Sequence, residues 1–198
     1  MIYDCSRLPK HGGHVSDGPR TNLYQPELRY VFASLANNPI FYCLSGDGLY
    51  NDLQHDLQQV EQIHNQLQTA NTHKTNVAQL EKYQDLFLKN FKHMQSFSKY
   101  FVFGNTSTTM KMNFVWYDSF DKRKITSQDA NLAALSSLYN LAVCLCRRGC
   151  YMDLAGDGIK HASSFFRQAA WLFNHLQSMV TQLSPDGHSC DFNKETLI

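Results

Sequence analysis

The sequence predicts a mostly α protein, built from antiparallel helical hairpins of tetratricopeptide-like solenoid type with a small β-hairpin. Three observations predict it. Four long stretches carry apolar residues at steps of three and four, the spacing that gathers them on one face of a helix. One stretch around residue 114 carries them at every second position, the spacing of a strand with one buried face. The intervals between hold Gly, Pro, Asn and Asp, which end helices and turn chains.

Along the chain, residues 1–22 read as a disordered leader, and 23–198 as a partial helical domain. Lys10-His11-Gly12-Gly13-His14 and Asp17-Gly18-Pro19 are turn and coil chemistry. Leu28 to Leu35 fits a short helix stopped by Asn37-Asn38-Pro39, and Ser45-Gly46-Asp47-Gly48 a loop. Leu49, Leu53, Leu57, Val60, Ile63 and Leu67 then form one apolar stripe. Polar residues 69–76 break the pattern. A second helix spans Val77 to Tyr100, with Leu80, Tyr83, Phe87, Phe91, Met94 and Phe97 turned inward. These two helices make an antiparallel pair.

Next the period changes to two. Met110, Met112, Phe114 and Trp116 alternate with Lys111, Asn113, Val115 and Tyr117, and Lys124-Ile125-Thr126 returns as a second short strand. Asp118 reads as the residue that caps the turn between them. Ser127 is the expected N-cap of a third helix, which buries Leu132, Leu135, Leu138, Tyr139, Ala142 and Leu145 and stops at Gly149. Asp157 caps a fourth, whose inward residues are Ile159, Ala162, Phe166, Ala169, Phe173, Leu176 and Val180. It ends before Pro185. Asp191 to Ile198 has the pattern of a cap and first turn of a fifth helix; a single turn is costly to nucleate, so a truncated domain or an unusual docking is expected there.

Composition narrows the function. The chain has 198 residues, 43% of them apolar and 13% aromatic, enough for a buried core. Net charge is +1, without the clustered cationic face that nucleic acid requires. No stretch is long and apolar enough to span a bilayer, and Met1 to Arg20 lacks the apolar core of a signal peptide. The six cysteines are therefore read as reduced thiols of a cytoplasmic protein.

Three ordered fragments carry a family resemblance: Phe114-Val115-Trp116-Tyr117-Asp118, Leu138-Tyr139-Asn140-Leu141, and Phe166-Arg167-Gln168-Ala169-Ala170. In this order the sequence resembles the Bro1 domain over roughly residues 50–198. The spacing to Asn140 is similar to the Bro1 domains of rhophilin and of the His-domain tyrosine phosphatase, and it lacks the insertion of ALIX. Two positions depart from the pattern: Ala133 stands where an acidic residue is usual, and Trp171 where Gly follows the Ala pair. Trp171 therefore implies a wider helix crossing or an exposed aromatic.

The resemblance implies a non-enzymatic adaptor in ESCRT-dependent endosomal sorting, without cofactor, associated peripherally with the endosome. It implies binding of the C-terminal helix of an ESCRT-III subunit. Asp157 and Lys160, at the start of the fourth helix, are the partner-binding candidates, Lys160 matching a basic residue of the family's binding face. Phe114, Trp116, Asp118, Asn140, Phe166, Ala169 and Ala170 are the structural motif positions. A rhophilin-like scaffold for a Rho-type GTPase is the alternative, favoured by Trp116-Tyr117-Asp118-Ser119.

Sharper chemistry does not fit. Cys144 and Cys146, with Cys150 and His161, lack the C-x-x-C turn that zinc favours, and residues two apart on a helix face different ways. Gly187-His188-Ser189-Cys190 has no following Arg to hold a phosphate, so it reads as a polar inter-helix loop. Trp116 sits on an apolar strand face and reads as core. Asn140, inside an apolar helix, is expected to bond a neighbouring loop. His11, His14, His55, His64, His73 and His93 lie among Gln and Asn on solvated faces.

Overall fold

The computed structural model describes residues 55, 58–63, 65–67, 76–100, 113–118, 123–181, 183 and 189–197. The leader at 1–22, the short helix at 28–35, the loop at 45–48, Met110 and Met112 lie outside these residues. Helical residues at 58–63 and 65–67 bury Val60, Ile63 and Leu67, three members of the expected stripe. Helix α1 (Val77–Tyr100) opens on a capping box: the Gln79 amide donates to Asn76 Oδ1 and the Asn76 amide to Gln79 Oε1, both at 2.9 Å. It buries Leu80, Leu86, Phe87, Asn90 and Met94. Tyr83 and Phe91 are half-buried, and nothing is described of the Phe97 side chain.

Strands β1 (Phe114–Tyr117) and β2 (Lys124–Ser127) pair antiparallel, with Trp116 opposite Ile125. The alternation in β1 is incomplete, because Val115 on the supposed outer face is also buried. Helix α2 (Ala130–Tyr151) follows. Its cap is Asp129, not Ser127: the Asp129 carboxylate accepts the Asn131 amide at 2.9 Å, while the Ser127 hydroxyl accepts the Asp129 amide. Nor does Gly149 stop it. A Cβ on Gly149 would stand 2.8 Å from the Phe166 ring, so its missing side chain makes room for that ring.

Helix α2 is buried almost all round, with every inward residue expected from the sequence in the core. Helix α1 packs on one side of it and α3 (Gly158–Val180) on another. Asn90 of α1 donates to the Ser137 hydroxyl of α2 at 2.7 Å, so a buried amide lies inside that contact. On α3 the inward stripe is narrower than expected. Ala162, Ala169 and Leu176 are buried, but Ile159 is 56% exposed and Phe166 37%. The last element is a 3₁₀ turn, Cys190–Phe192, in place of a fifth helix; Asp191, Phe192 and Leu197 are buried.

Candidate functional site

Trp116 is fully buried, and a buried indole N–H needs an acceptor. It donates to Asp191 Oδ2 at 2.9 Å, across 75 residues of sequence. The Tyr139 hydroxyl reaches the other oxygen of Asp191 at 3.5 Å. Trp116, Tyr139 and Phe192 enclose these bonds with ring centroids 5.4 to 5.9 Å apart, and Phe173 of α3 joins edge-on to Tyr139 at 5.8 Å.

Asp118 ends the same strand; the turn that its side chain was expected to cap lies outside the described residues. The Asp118 amide donates to the Arg123 carbonyl at 2.9 Å, and its carboxylate points inward. Asp118 Oδ2 accepts the Ser189 hydroxyl at 2.6 Å and the Cys190 amide at 2.7 Å. The Ser189 hydroxyl in turn accepts the Asp191 amide at 3.1 Å. Of the expected polar loop, Gly187 and His188 lie outside the described residues; Ser189 is extended, as a loop residue can be, but buried, and its hydroxyl and the Cys190 amide close on a carboxylate of the chain itself. Both aspartates are sealed from solvent, so this cluster is a latch between ribbon and 3₁₀ turn and is closed to a substrate.

Other motif positions are structural to different degrees. Phe114 and Ala169 are buried, whereas Ala170 is exposed and Phe166 partly so. Asn140 donates to the Ser136 carbonyl of its own helix at 2.8 Å, one turn back and not in a neighbouring loop. Of the thiols, Cys144 is buried, Cys146 half-buried and Cys150 exposed. Burial pushes the Cys144 thiol up to about 12, against the opposing pull of Arg147 and Arg148. It is inert at neutral pH.

The exposed face lies where α2 hands over to α3. Asp153 Oδ1 accepts the Ala155 amide at 3.1 Å, turning the chain. Gly158 then packs so closely that a Cβ there would fall 1.7 Å from the Asp153 carbonyl oxygen. Asp157 holds the expected cap position without a side-chain cap bond; its carboxylate pairs with Lys160 Nζ at 2.8 Å. Both side chains are more than three-quarters in solvent, so the pair adds little stability. Leu154, Ile159 and Tyr151 are exposed in the same corner.

Residues 46–198 match the family model of the BRO1-like domain. The chain belongs to that family. No curated protein and no solved structure matches it significantly. BRO1-like domains are generally non-catalytic scaffolds, and membership indicates a protein-binding adaptor role. Among the described residues no helix is long and apolar enough to cross a membrane. Likewise, no group of three or more His, Cys, Asp or Glu among them is placed to hold a metal ion.

Sequence reasoning placed Asp191 at a helix start and Ser189 in a loop, and missed their buried contacts and those of Arg148. Arg148 Nη2 donates to Glu81 of α1 at 3.2 Å and Nη1 to Gln84, while its guanidinium lies 4.4 Å from the centroid of the Phe165 ring of α3. The signal for Asp191 was the Trp116 N–H itself, which had to find a distant acceptor once the strand was buried.

Proposed function

We propose that this BRO1-like chain is a non-enzymatic adaptor of ESCRT-dependent endosomal sorting, and that it receives the C-terminal helix of an ESCRT-III subunit at the α2–α3 corner. The observation that carries this reading is the exposed Asp157–Lys160 pair beside two solvent-exposed aliphatic residues, Leu154 and Ile159. An amphipathic helix needs such a combination: apolar side chains for its buried face and charges to fix its register. On this reading the protein works in the cytoplasm and meets the endosomal membrane peripherally, through its partner.

A second reading is a rhophilin-like scaffold in Rho GTPase signalling. Its support is the Trp116-Tyr117-Asp118-Ser119 tetrapeptide. Trp116 and Asp118 are fully buried, so they support a likeness of architecture and offer no contact surface.

A paired pull-down separates the two. The full chain is offered the C-terminal helix of an ESCRT-III subunit and, separately, a GTP-loaded Rho protein. Retention of the helix, lost with Ile159→Asp or Lys160→Glu, is the expected result. Retention of the GTPase alone favours the second reading, and retention of neither overturns both.

A further inference from the structure

Helices α1 and α3 flank α2, and between them lies an open groove with a volume of about 460 Å³. Its floor is apolar, made by Leu141 and Leu145 of α2 with Leu172 of α3. Leu88 of α1 and Trp171 of α3 stand on opposite walls, 38% and 64% exposed. Gln84 of α1 also lines the groove, and accepts from Arg148, whose guanidinium lies over the Phe165 ring of α3. The α3 wall runs from Ser164 to Trp171, about 10 Å of helix axis, which is room for two turns of a docked helix.

The charge in this groove is one-sided. Among the described residues Arg167 is the charged residue of its lining, and no acid accompanies it there. Among the described residues Arg167 makes no ion pair and no side-chain hydrogen bond. Trp171 is held ready by stacking on His175, with ring centroids 5.4 Å apart and 15° between planes. Holding the ring beforehand lowers the entropy lost on binding. Tryptophan and arginine are also the side chains that most often dominate an interface.

We propose that this groove is a second docking site, separate from the Asp157–Lys160 corner, and that its occupant is an acidic amphipathic helix of a partner protein. Apolar side chains one turn apart would enter between Leu88 and Trp171, and a carboxylate beside them would meet Arg167. The proposal is independent of the ESCRT-III reading, because no corner residue lines the groove.

Trp116 and Trp171 are the chain's two tryptophans, and only the second is open to solvent, so acrylamide quenching reports on Trp171. The full chain is screened against displayed helical peptides of about 16 residues, roughly 24 Å long, with randomised apolar and polar faces. Enriched peptides should carry Asp or Glu beside the apolar stripe and shield Trp171 from acrylamide. They should bind Arg167→Glu about ten-fold or more weakly, and exchanging the peptide acid for Lys should restore that loss. Trp171→Ala should abolish binding while leaving the thermal melt unchanged. Absence of enrichment, or binding indifferent to both substitutions, overturns the proposal. So does a Trp171 already shielded in the chain alone. Shielding independent of concentration would give the groove to residues 1–45, and shielding that grows with concentration would give it to a second copy.

Discussion

Asp118 decides how the ribbon meets the 3₁₀ turn. One carboxylate oxygen takes both the Ser189 hydroxyl and the Cys190 amide. Removing it strands one buried and one partly buried donor, at about 1–3 kcal/mol each. Asp118→Ala should therefore lower stability by about 2–4 kcal/mol, read as a fall in the urea midpoint. Asp118→Asn, which keeps an acceptor oxygen, should lose clearly less. This role was not legible locally: an Asp after a strand has the pattern of a turn cap, and Ser189 and Cys190 lie more than 70 residues away. Cys144 gives a second test at this scale. Its folded-state value is raised from 9.0 to about 12, so the unfolded chain loses that proton first as pH rises. The stabilisation is complete below pH 9 and disappears between 9 and about 12. Tyr83, raised mainly by burial and then by Cys144, acts in the same direction. Above pH 9 the stability of the native chain should fall more steeply than that of Cys144→Ala, measured by urea melts across pH.

At the scale of elements, α2 is the shared core and Arg148 joins it to both neighbours. The guanidinium fork serves Glu81 and Gln84 while its flat face lies over Phe165. Arg148→Ala should cost about 1–3 kcal/mol in thermal stability. Arg148→Lys should recover little of it, because an ammonium can neither fork nor stack in this way. The bounds of α1 and the inner faces of α1 and α2 were readable from apolar periodicity, since burial against a neighbour imposes that period directly. The α2 cap was misplaced by two residues because Ser127 and Asp129 both have capping chemistry, and Ser127 supports the turn from inside β2. The fifth helix was expected because Asp191 begins a plausible first turn. Its pairing with Trp116 holds it in the interior instead.

For the whole molecule, among the described residues, two surfaces outside the latch and the three-helix core combine exposed apolar side chains with charge: the α2–α3 corner and the α1–α3 groove. The family resemblance was legible from Phe114, Trp116, Asn140 and Ala169, whose burial ties them to the packing of the fold. The groove was not, because its walls come from helices separated in sequence; its one sequence signal was Trp171 standing where the family has Gly. Family membership indicates a protein-binding adaptor role, and the central proposal is that the chain docks a helix at the corner. Hydrogen exchange on the full chain, with and without the C-terminal helix peptide of an ESCRT-III subunit, tests that claim most directly. Protection should concentrate at residues 151–162, around Leu154, Asp157, Ile159 and Lys160. Saturating peptide that leaves this stretch unprotected would contradict the claim.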